Sequence, residues 1–81
     1  PGVVVDQHFT QRNRIGRLRG VIEKYPGYAG LGIDEATAAV VTGRTVTVFG
    51  KGNVSALLPK TGARPAREDV LKPGDKLDLF Q

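Results

Sequence analysis

The chain opens with an apolar run that is too short for a helix. "GVVV", residues 2 to 5, sets three β-branched residues after a glycine and runs straight into Asp6, Gln7 and the only histidine, His8. Such a run reads as a strand buried on both faces, as in a parallel sheet, and a strand of that kind needs neighbours on both sides. Arginines follow almost at once, at positions 12, 14, 17 and 19.

Residues 10 to 24 carry the next signal. Thr10 is an N-cap residue, Ile15, Leu18, Val21 and Ile22 recur at helical spacing, and Pro26 with Gly27 ends the pattern. A strand followed by a helix is half of a βαβ unit. From Tyr28 the pattern changes to short strands, "YAGLGIDE", "TAAVV", "TVTVFG" and "VSALLP", with "TGR" and "KGN" as turns, which predicts an antiparallel meander. Residues 59 to 74 hold three of the five prolines and read as a surface loop with a short helical turn near Ala66 to Leu71. "KLDLF", residues 76 to 80, alternates as a closing strand.

At 81 residues the chain can form one small domain or part of one. Its 40% hydrophobic and 25% charged content is that of a folding chain rather than a disordered one. It has no cysteine, which excludes disulfides and thiolate metal sites, and no cofactor is called for. No segment reaches the roughly 20 apolar residues of a membrane span. There is no recognisable signal peptide, so the cytoplasm is the expected compartment, with secretion left open because the chain begins at Pro1 rather than Met.

The net charge of +4 invites a nucleic-acid reading, since clustered cations release counterions from phosphates. Four of the twelve Lys and Arg residues nevertheless fall between positions 12 and 19. The excess is local, and it suits a small anionic site as readily as a polyanion groove.

In open α/β sheets ligands sit outside the carboxyl ends of the strands, where the following helix begins. Asp6, Gln7 and His8 occupy that place. A neutral imidazole there can act as a general base, or His8 can simply be a capping or surface residue. Ser55 is the only serine and lies within a predicted strand with no glycine-flanked elbow, so a nucleophile for His8 would have to come from outside this chain.

At about 100° per residue, Arg14 projects within the apolar sector of the helix, Arg17 and Arg19 flank it on opposite sides, and Arg12 lies furthest round. A guanidinium on the core stripe must be paired or open onto a site. A solvated basic face, ion-paired to Glu23 or to other acids, suits Arg19 well and Arg14 poorly. Asp34 and Glu35 end the second predicted strand. They can serve as a carboxylate behind a histidine, as turn acids, or as partners of the arginines.

"VVVDQHFTQRNRIGRL" followed by "GLGIDEATA" resembles the cyanophycinase family of serine exopeptidases, related to aspartyl dipeptidases and to the class I glutamine-amidotransferase-like fold. The tail "LKPGDKLDLF" is similar to that family's closing strand, while residues 50 to 70 carry no resemblance.

The resemblance implies an α/β fold, the C-terminal part of a three-layer α/β/α sandwich with a mostly parallel sheet, so that residues 1 to 81 are a single partial domain. It implies a serine peptidase that cuts cyanophycin, a polyaspartate bearing arginine on each side-chain carboxyl, or related β-aspartyl peptides, into β-Asp-Arg dipeptides. His8 would be its general base and Glu35 a candidate orienting acid. Asp6, Gln7, Arg12, Arg14 and Arg17 match motif positions around the substrate pocket. The implied partners are the N-terminal remainder of the enzyme, carrying the nucleophile serine, and an acidic or β-aspartyl substrate. The complete enzyme would be a homodimer, with no metal, and the chain alone would be inactive. The rival readings are a small basic binding module for nucleic acid or an acidic partner, and a related peptidase fold with another acidic dipeptide as substrate.

Overall fold

A computed structural model describes residues 2–7 and 15–80, as one helix and seven strands in two sheets. His8, Thr10, Arg12 and Arg14 lie outside the described residues. The strands are β1 (Val3–Gln7), β2 (Ala29–Ile33), β3 (Thr37–Thr42), β4 (Thr45–Gly50), β5 (Val54–Leu58), β6 (Arg67–Leu71) and β7 (Lys76–Asp78), and helix α1 is Ile15–Lys24.

The first sheet runs β1-β2-β5-β6 and the second β3-β4-β7. Only the β1·β2 pairing is parallel; the other four are antiparallel. The described residues thus form an α/β segment with one mixed and one antiparallel sheet, rather than a mostly parallel one.

Strand β2 organises the packing. All five of its residues are buried. By strand alternation Ala29, Leu31 and Ile33 share one face and Gly30 and Gly32 the other. The apolar face joins Val54, Ala56, Leu58 and Leu71 of its own sheet to Val46, Val48 and Leu79 across the interface, making the main core between the two sheets. The other face receives α1. Leu18 is 1% exposed and packs with Leu57, Val4, Ile15 and Ile22. A Cβ on Gly30 would stand 3.1 Å from Ile22 Cγ1 and 3.3 Å from Leu18 Cδ1, so the bare backbone lets the helix sit low on the strand. The layers in this chain are therefore helix, sheet, sheet.

Four expectations change. The opening strand is an edge strand in this chain, with Val5 51% exposed, rather than one buried on both faces. The meander reduces to two antiparallel neighbours, β3·β4 and β5·β6, because β2 pairs with β5 and β4 with β7. Residues 67 to 71 form strand β6 where a helical turn was expected: the exposed ladder of β5 pairs with them, and that tertiary pairing overrides a local sequence of charged helix formers. The closing strand stops at Asp78, whose carboxylate accepts the Phe80 N–H at 2.9 Å and turns the chain.

The two-residue turn of the β3–β4 hairpin places Gly43 at φ 63°, where a type II′ turn calls for glycine. The helix ends as expected, with Gly27 at φ 89°. No helix among the described residues is long and apolar enough to cross a membrane.

Arg19 joins the helix to β6 by two hydrogen bonds to Glu68, Nε to Oε2 at 2.7 Å and Nη2 to Oε1 at 2.8 Å. The guanidinium holds the Glu68 carboxyl below its usual range. A lowered carboxylate pKa contributes stability above the unfolded value, near 4.3, and loses it as pH falls through the folded value. Urea unfolding should therefore show a shallow loss of stability below about pH 4.3 that Glu68→Gln reduces. The slope is shallow because both partners face solvent.

Candidate active site

The parallel pairing of β1 and β2 sets their carboxyl ends side by side, with Gln7 in register with Ile33. The polar residues that follow each strand, Gln7 on one side and Asp34 and Glu35 on the other, gather at one edge of the sheet. Gln7, Ile33, Asp34, Glu35 and Thr37 contribute to the wall of a cavity of about 260 Å³ there.

Strand alternation divides the two residues at the tip of β1. Val4 packs in the helix-side cluster and Val3 against the main core, so Asp6 shares the α1 face and Gln7 the face toward the second sheet. Asp6 is half-buried and stands in register with Gly32, which adds no side chain beside it. Arg17 is exposed on α1. Asp6 and Arg17 thus belong to the helix side of the sheet edge, while Gln7 and Glu35 share the cavity. His8, Arg12 and Arg14 are outside the described residues, and they adjoin these positions in sequence.

The acidic pair separates by role. Asp34 is tied to the β4–β5 connection in both directions: its Oδ2 accepts the Asn53 N–H at 2.9 Å, and its own N–H donates to the Asn53 carbonyl at 3.1 Å. Glu35 is exposed and faces the cavity. Asp34 thus bonds across to the β4–β5 connection, and both acids line the cavity.

Two further bonds fasten the same turn. Lys51 N–H donates to the Ala36 carbonyl at 3.0 Å, and Gly52 N–H to Thr37 Oγ1 at 2.9 Å. Residues 51 to 53 therefore clasp residues 34 to 37. Close approach requires glycine at two places. A Cβ on Gly50, whose φ is 118°, would collide with the Ala36 carbonyl oxygen and stand 2.8 Å from Thr37 Cα. A Cβ on Gly52 would come within 2.7 Å of both Asp34 Cβ and Thr37 Oγ1. Sequence reasoning read "KGN" only as a turn. Its function as a clasp depends on a contact between segments that no local pattern encodes.

The described residues contain no group of three or more His, Cys, Asp or Glu suited to a metal ion. The chemistry of this edge among the described residues is that of carboxylates, an amide and a hydroxyl, which can hydrogen-bond and orient a polar or charged ligand.

No protein-family model matches the chain. Individual relatives do. The cyanophycinase of Trichormus variabilis is 37% identical over 97 aligned residues, an alignment that takes in 100% of this chain and 33% of the relative. The cyanophycinase of Synechococcus elongatus is 44% identical over 61 residues, covering 74% of this chain and 19% of the relative. That of Geminocystis herdmanii is 46% identical over 56 residues, covering 68% and 21%. The chain is a cyanophycinase-like segment. It spans about a third or less of the length of these relatives.

Gly50→Ala tests the clasp. A non-glycine residue in this backbone region costs about 1–3 kcal/mol, and here the methyl also meets the carbonyl it must clear. The unfolding free energy from urea titration should fall by at least that amount, whereas Gly62→Ala, which meets nothing within 4 Å, should leave it nearly unchanged.

Proposed function

We propose that this chain is the base-bearing part of a cyanophycin-degrading serine exopeptidase. The observation that carries the reading is the match to cyanophycinases at 37 to 46% identity, joined to the gathering of Gln7 and Glu35 at the carboxyl edge of two parallel strands.

In this reading a serine from the remainder of the enzyme attacks the peptide carbonyl, and His8 takes its proton. His8 then protonates the leaving amine and, in the second half, activates the water that hydrolyses the acyl-enzyme. Glu35 orients the imidazole and stabilises its protonated form. Asp6, Gln7, Arg12, Arg14 and Arg17 hold the β-aspartyl unit and its arginine branch. A planar guanidinium binds a carboxylate through two parallel hydrogen bonds, which a lysine cannot reproduce. The products are β-Asp-Arg dipeptides.

The larger fold follows the same reasoning. Strand β1 is apolar, parallel to β2 and unpaired on its outer side among the described residues. Parallel strands are normally interior. The outer edge of β1 is therefore where the rest of a three-layer α/β/α domain continues the sheet.

A basic nucleic-acid module is the rival. It would recruit Arg19, which already has a carboxylate partner in Glu68. It predicts salt-dependent nucleic-acid affinity that falls on Arg19→Ala. The peptidase reading predicts that Arg19→Ala leaves turnover intact.

In the full-length protein, His8→Ala should lower dipeptide release from cyanophycin by about 10²–10⁴-fold with folding unchanged. Arg14→Lys and Arg17→Lys should each lower kcat/KM about tenfold, roughly the loss of one charge-assisted hydrogen bond. Full activity of a folded His8→Ala protein would overturn the assignment.

A further inference from the structure

Glu35 sits in an unusual stretch of backbone. Ala36, the next residue, has φ 57°, a left-handed conformation that is unfavourable for a non-glycine residue. Such strain persists only where the surroundings over-determine it. Here they do. The residues on both sides of Glu35 are bonded to the β4–β5 connection, Asp34 through its N–H to the Asn53 carbonyl and Ala36 through its carbonyl to Lys51 N–H.

Thr37 closes the arrangement. Its hydroxyl donates to the Glu35 carbonyl at 3.0 Å and accepts the Gly52 N–H at 2.9 Å. A hydroxyl has one proton and free lone pairs, so both bonds can form together. Among the described residues, Thr37 is the side chain bonded both to the Glu35 main chain and to the clasping segment. These bonds fix the backbone from which the Glu35 side chain extends.

We infer that Thr37 is a positioning residue: its hydroxyl couples the Glu35 main chain to the 51–53 segment and so fixes where the Glu35 carboxylate stands in the cavity. The inference rests on the proposed role of Glu35 as the acid behind His8. A carboxylate in that role must be held to within a fraction of an ångström, because small displacements of catalytic groups cost large factors in rate. In that role the carboxylate favours the imidazolium, so loosening it should move the acid limb of the pH–rate profile to lower pH.

The test uses the full-length protein with cyanophycin as substrate and dipeptide release as the signal, at a temperature where each variant is folded. Thr37→Val keeps the shape and removes both bonds. It should lower kcat about tenfold, the order expected for losing hydrogen bonds worth about 0.5–1.5 kcal/mol each, with KM little changed and the acid limb displaced to lower pH. Thr37→Ser, which keeps the hydroxyl, should restore both the rate and the limb. Thr37→Ala gives the same readout as the valine variant should that protein not fold. Glu35→Gln is measured in parallel. If it abolishes turnover while hydroxyl-free variants keep the native rate and profile, the inference about Thr37 is wrong. If Glu35→Gln is itself fully active, the reading of Glu35 beneath it is wrong.

Discussion

Everything in this segment depends on β2 being apolar on one face and bare on the other. Ala29, Leu31 and Ile33 fill the space between the two sheets, while Gly30 lets Ile22 and Leu18 of α1 approach the strand. Packing on both faces buries all five residues and makes β2 the fixed reference of the fold. Strand β1 pairs with it in parallel, so the ends of both strands are set at the same edge. The position of the candidate site is thus a consequence of how one short strand is packed.

Rigidity at that edge has a second source. The turn after β2 would be a plain exposed connection if its hydrogen bonds stayed within it. Instead its polar groups pair with residues 51 to 53, and Gly50 and Gly52 allow the two segments to touch. The contact also lets Ala36 keep a left-handed φ. A turn tied at four points to its neighbour can carry a carboxylate whose orientation matters, which an untethered loop would do poorly.

Much of this was legible in the sequence where the physics is local. The strand-to-helix handover, the apolar phase of Leu18 and its neighbours, the stop at Pro26 and Gly27 and the Gly43 turn all follow from residue type and spacing. The paired motifs pointed to the cyanophycinases before any comparison. What escaped was non-local. The order of strands in a sheet is decided by which apolar faces meet, so β2 beside β5 could not be read from a chain in which β3 and β4 intervene. Strand β6 escaped because "REDVL" has no strong strand signature until β5 offers it a ladder. The division between Asp34 and Glu35 also required knowing that Asn53 lies beside the first of them.

The cations are sorted by pairing rather than by number. A positive charge near a sheet edge is available to a ligand only if its own protein does not already neutralise it. Arg19 points from α1 to Glu68 on β6 and is held there by two short hydrogen bonds, so its charge serves to fasten the helix to the sheet. Arg44 is similarly engaged with Asp78, at 3.1 Å. A count of basic residues therefore overstates what this surface can offer a polyanion. Strand β1 in turn separates Asp6 from Gln7 onto opposite faces, so the helix side and the clasped turn form two distinct sides of this edge.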